Sequence, residues 1–125
     1  MKRTKSLLVG IATVGVLLAG LQEAPAQDPA VVNARSIRVK LENSRVRVLE
    51  ATLRPGEKEQ LHSHPAYVIY VLAGGKVRNH SVDGKTTETE FATGDTVYRD
   101  PLTHWAENIG TTTMHLILVE LKNPS

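Results

Sequence analysis

The chain has 125 residues, with 15 Lys plus Arg, 13 Asp plus Glu, five His and no Cys. That length suits a single domain, and the lack of cysteine excludes a disulfide framework, a thiolate metal site and a Cys nucleophile. The formal charge of +2 sits at the N-terminus: residues 27–125 carry 12 basic and 12 acidic side chains, without the basic excess expected of a nucleic-acid binder.

Residues 1–26 read as an export signal. Lys2, Arg3 and Lys5 form a charged start, an apolar run extends from Leu7 to Leu21, and Ala24-Pro25-Ala26 places small residues at the −3 and −1 positions of a cut. This is the three-part pattern of a secretory leader. The apolar run is about 15 residues, short of the roughly 20 that span a bilayer. Processing after Ala26 is expected to leave a secreted or periplasmic chain that starts at Gln27 and has no membrane anchor. Residues 27–35 are expected to be a flexible segment, or a strand added to a neighbouring copy.

The rest reads as strands. Residues 37–41 and 45–53 alternate Arg with aliphatic side chains, the period of a half-buried strand. Residues 66–73 are a continuous β-branched and aromatic run closed by Gly74-Gly75. Residues 76–82 and 85–91 flank Asp83-Gly84, which predicts a hairpin with a type I′ turn. Shorter runs follow at 96–99 and 104–109, and a long one at 113–122. Eight short strands separated by Gly and Pro turns predict an all-β sandwich or barrel over residues 36–122.

Chemistry is concentrated in the histidines. His62 and His64 are two apart, so on a strand they share a face with Cα atoms roughly 6.6 Å apart. Their imidazoles can then converge on one ion. Pro55-Gly56 precedes the pair, and Pro65 and an apolar strand follow it, which places it at the mouth of a barrel.

Gly56, His62 and His64, followed by an apolar strand ending at Gly74, resemble the first motif of the cupin superfamily. Gly94, Pro101, His104 and Asn108 resemble its second motif. The resemblance covers residues 36 to 122. It implies a small β-barrel, a double-stranded β-helix of the cupin or jelly-roll type. It also implies one divalent transition metal per chain (Fe, Mn, Zn, Cu or Ni) held by His62, His64 and His104. The sequence departs from the pattern in three places. The first motif's Glu slot holds Tyr67 or Val68, six residues rather than five separate Gly94 from Pro101, and Thr103 replaces a glycine. No fourth ligand carries over. Three neutral imidazoles leave positions open on the ion and favour an anionic, chelating substrate.

No catalytic residue is named by the sequence. The pocket candidates are Tyr67, Tyr70, Arg99 and His115. Tyr67 and Tyr70 point to opposite faces of one strand. Arg99 either clamps a carboxylate in the cavity or lies on a solvated face. His115 shares its parity with Ile117, Val119 and Leu121, which predicts an inward face. Glu59, Glu107 and Glu120 are the acids to check as a general base. Trp105 is expected outside the barrel, Asn108 in a structural hydrogen bond, and His80 on the surface. The expected function is a metal-dependent oxidoreductase of the dioxygenase type acting on a small chelating organic anion. The alternatives are a non-catalytic metal- or ligand-binding module and a metal-assisted isomerase or lyase. A homodimer is expected, with the edge offered by residues 37–53 covered by a second copy.

Overall fold

The structure, a computed structural model, describes residues 27–123. The expected leader, residues 1–26, lies outside the described residues. Nine strands form among the described residues: β1 (Ile37–Glu42), β2 (Val46–Leu53), β3 (His62–His64), β4 (Tyr67–Ala73), β5 (Gly75–Ser81), β6 (Thr86–Phe91), β7 (Thr96–Arg99), β8 (Leu102–Asn108) and β9 (Met114–Leu121). The strand unforeseen as a separate element is β3, which at three residues is too short to show a period. Pro65 ends it because proline brings no N–H to the ladder.

Strands β1-β2-β9-β4-β7, in that order, make a five-stranded sheet, and β3-β8-β5-β6 a four-stranded one. Every pairing is antiparallel. The sheets pack face to face over one cluster that includes Leu49, Ile69, Val71, Val77, Phe91 and Leu118. This is the all-β barrel that the alternating pattern predicts. The chain passes between the sheets at Gly74, where a Cβ would run into the carbonyl oxygen of Phe91.

One local expectation is corrected. The β5–β6 hairpin is not a type I′ turn, which needs positive φ at both central residues. Within this loop only Gly84 has positive φ (86°), and among the described residues no non-glycine residue does. Ser81 N–H donates to Lys85 O at 2.8 Å, closing a three-residue loop with its left-handed position at Gly84. The segment 27–35 carries a helical turn. Asp28 caps a helical turn, α1 (Pro29–Val32), by accepting from Ala30 N–H at 2.8 Å, and Pro29 is buried.

The outer face of the five-stranded sheet carries an apolar patch. Val68, Tyr70, Tyr98, Ile117 and Val119 lie side by side across β7, β4 and β9, and Tyr70, Leu72 and Tyr98 are exposed.

Candidate metal centre

Strand β3 pairs with β8 so that His62 lies opposite His104. The period of two turns His62 and His64 to one side, into the barrel. All three imidazoles are buried. Their ring centroids are 4.7–5.5 Å apart, and one ring nitrogen from each lies within 4.8 Å of the others. The three residues expected to share an ion are therefore brought together and face inward.

Each ring has its outer nitrogen committed. His62 Nδ1–H donates to Gln60 O at 2.7 Å, His64 Nδ1–H to Glu120 Oε2 at 2.7 Å, and His104 Nδ1–H to Asn79 Oδ1 at 3.1 Å. An acceptor at each Nδ1 favours the neutral tautomer whose Nε2 keeps its lone pair, although the Asn33 amide nitrogen also lies 3.1 Å from His62 Nδ1. The Nε2 atoms of His62 and His64 are 3.1 Å apart, and His104 Nε2 is buried without a partner. Burial holds the pKa of His62 down to about 4. Burial and the neighbouring imidazoles hold His104 down to about 3. Three buried imidazoles with converging ring nitrogens are the donor set a divalent transition ion needs, so the residues fit the metal that the resemblance implies.

The cavity beside the histidines is lined by Glu59, Tyr67, Asn79 and Arg99 and by apolar side chains including Ile69, Phe91 and Leu116. Tyr67 is buried, with its ring 4.4 Å from that of His64. Burial pushes its phenol up to about 12, so it stays protonated. Arg99 pairs in register with Tyr67 and lines the cavity, which resolves the choice between cavity and solvent. Glu59 Oε1 accepts from Ala106 N–H at 3.0 Å, and burial raises its pKa to about 7.

Other candidates fall outside the cavity. Tyr70 is on the outer face, 45% exposed. His115 is also outward, where its ring bonds Glu50 at 3.1 Å. The inward parity of β9 belongs to Met114, Leu116, Leu118 and Glu120, because they oppose the inward Leu53, Ala51 and Leu49 of β2 and Arg47. Both faces of β9 are apolar, so composition alone pointed to the wrong one. Glu107 is part of an outer network with Arg78 and His80, and His80 stacks on Trp105 at 3.7 Å. Asn108 has the expected structural role, donating to Leu53 O and Thr112 O at 2.8 Å.

Glu120 is buried and serves as the partner of His64, a role different from the base it was considered for. Burial pushes its carboxyl up, but hydrogen bonds from His64 and Arg47 outweigh this and hold it below the usual carboxylate range. Asn79 and Gln60 were missed. Asn79 sits in an otherwise ordinary strand, and Gln60 contributes only its carbonyl.

No curated protein matches the chain. Among solved structures it is similar to a cupin domain from Bordetella pertussis, with 24% identity over 70% of this chain and 92% of that one and a TM-score of 0.64. It is also similar to a predicted oxalate decarboxylase from Thermotoga maritima, with 23% identity, 70% and 79% coverage and a TM-score of 0.52. A third is oxalate decarboxylase from Bacillus subtilis, a protein with Mn(II) centres, with 23% identity, 71% and 26% coverage and a TM-score of 0.52. Residues 49–120 match the sequence profile of the cupin domain, a stretch that runs from β2 to β9 and includes all three histidines, so the chain belongs to the cupin family.

Proposed function

We propose that the protein is an exported, metal-dependent oxidoreductase of the dioxygenase type that acts on a small chelating organic anion. The observation that carries this reading is the convergence of three imidazole nitrogens on a cavity that Arg99 also lines. A divalent ion held by His62, His64 and His104 would polarise a carboxylate and exchange electrons. Arg99 binds the substrate's second carboxylate, bidentately where the geometry allows. The apolar wall excludes water and strengthens that pairing. Tyr67, kept as a phenol, donates a hydrogen bond to the bound anion. The cavity volume of about 70 Å³ holds roughly five waters at the ~15 Å³ each needs, which suits a two- or three-carbon carboxylate. The two relatives named as oxalate decarboxylases point to the same ligand class by fold analogy.

A second reading, a decarboxylating lyase, draws support from Glu59. Its carboxyl keeps a proton near neutrality and can hand it to a carbanion left by loss of CO₂.

The test is elemental analysis of the exported protein, followed by oxygen uptake with a panel of C2–C4 mono- and dicarboxylates. Substrate-dependent oxygen consumption is the expected result. Turnover without oxygen would replace the first reading with the second. Stabilisation by a carboxylate without turnover would make the protein a binding module.

A further inference from the structure

The N-terminal turn reaches two of the three histidines by separate routes. Asn33 is buried and grips the Gln60 peptide from both sides. Its Oδ1 accepts from Gln60 N–H at 2.7 Å, and its Nδ2 lies 3.2 Å from Gln60 O and 3.1 Å from His62 Nδ1 itself. That same carbonyl takes the His62 Nδ1 proton at 2.7 Å. On the second route, Asp28 Oδ2 accepts from an Arg47 NH1 at 2.6 Å, and Arg47 Nε donates to Glu120 Oε1 at 2.7 Å. The other oxygen of Glu120 holds His64 Nδ1. Between the two ligands, Ser63 N–H donates to Gln27 O at 2.9 Å. This closes the free edge of β3, an outermost strand of its sheet. His104 is held independently, by Asn79 of β5.

We propose that residues 27–33 are a clasp that completes the metal centre, with Asn33, Asp28 and Arg47 as positioning residues for His62 and His64. The inference rests on the reading that the three histidines hold an ion. None of the three positioning residues touches the ion. Asn33 holds the Gln60 carbonyl and the His62 ring, Arg47 holds the Glu120 carboxylate that His64 bonds, and Asp28 acts one step further out by holding Arg47. Loss of such outer partners commonly weakens metal binding by roughly 10–100-fold.

The test is competition titration of the full mature chain with Co²⁺ against a chelator, combined with ¹⁵N spectra of the imidazoles and far-UV circular dichroism. Asn33→Ala and Arg47→Met should each weaken Co²⁺ binding by roughly 10–100-fold with the strand signal intact. Their effects should multiply in the double variant, because they act on different ligands. The Asn33 variant should release the His62 tautomer and leave that of His64 unchanged, and the Arg47 variant the reverse. A purely structural role would not produce this crossed pattern. Should Arg47→Met fail to fold, Asp28→Asn carries the test. It keeps the helix cap, turns an amide towards Arg47, and should weaken Co²⁺ severalfold. Wild-type affinity and unchanged tautomers in folded variants would overturn the clasp. His104→Ala separates the two claims: retention of Co²⁺ by that variant would overturn the metal reading itself, whereas its loss alongside normal clasp variants would overturn the clasp alone.

Discussion

The Nε2 atoms of His62 and His64 face each other across 3.1 Å. Each ring turns its Nδ1 to an acceptor, Gln60 O for His62 and Glu120 for His64. The unpartnered Nε2 of His104 faces the same space, so three ring nitrogens crowd one buried site. A proton cannot relieve this near neutrality at His62 or His104, whose pKa values are held at about 4 and about 3. A cation can. Divalent metal at about 100 times its dissociation constant should therefore stabilise the fold by roughly 2.7 kcal/mol, raising Tm by about 10 °C or more for a domain of this size. His104→Ala should abolish the shift, and His115→Ala, on the outer face, should leave it intact. Differential scanning fluorimetry with and without chelator checks both.

Glu59 gives a pH signature. Its carboxyl is raised from 4.5 to about 7 by burial, so the folded chain keeps a proton that the unfolded chain releases. That contribution is complete below the unfolded value of 4.5 and is lost as pH rises through about 7. His62 and His104 act in the opposite sense, because a depressed folded pKa adds stability as pH rises towards 6.5. The clean readout is thus a difference. Metal-free Glu59→Gln, which keeps an acceptor for Ala106 N–H, should gain on wild type by roughly 1–3 kcal/mol between about pH 5 and about pH 8. Denaturant melts at several pH values measure it, and a constant difference would refute it.

Arg99 should govern the anion. Arg99→Gln removes one charged hydrogen-bond donor set, worth roughly 1.5–3 kcal/mol. Binding of oxalate, used as a probe, should weaken by roughly 10- to 100-fold with metal content unchanged. Calorimetry together with elemental analysis separates loss of the anion from loss of the ion.

The outer face of the five-stranded sheet should form the homodimer. Tyr70 and Ile117 are register partners there, and Tyr70, Leu72 and Tyr98 are exposed, an apolar patch of the kind that marks an interface. Ile117→Glu should give a folded monomer. Sedimentation at micromolar concentration decides it, and a monomeric wild type would remove the premise.

Mass spectrometry of exported protein should find Gln27 as the first residue, following Ala24-Pro25-Ala26. An intact Met1 on folded, exported protein would contradict the leader.

The strands were legible because alternation and Gly/Pro punctuation are local. So was the His62–His64 pair, whose spacing of two is the strand period itself. His104 became legible only through its place in a second motif, since nothing local ties it to residues forty positions earlier. Asn79 and Glu120 were illegible as supports because their placement depends on the registers β5–β8 and β2–β9. A one-residue slip in either register would turn them outward. His115 misled for a related reason: with aliphatic side chains at both parities of β9, only the packing against β2 decides which row faces in. The turn at residues 28–33 did carry a signal, in Asp28 as N-cap followed by Pro29 at the first helical position, but four residues are too few to produce a helical period.

The closure of the β3 edge by Gln27 also bears on kinetics. A short turn held by a few hydrogen bonds opens far more often than a barrel, since local unfolding spans free energies from near zero up to the global value. In the folded protein, release of residues 27–33 would free the outer edge of β3 and loosen the carbonyl that orients His62, while β8 and β5 kept His104 in place. The residence time of the ion would then follow the opening rate of that turn rather than the unfolding rate of the barrel. Affinity and exchange rate would become separable properties, with the first set by three imidazoles and the second by a few hydrogen bonds from residues 27–33.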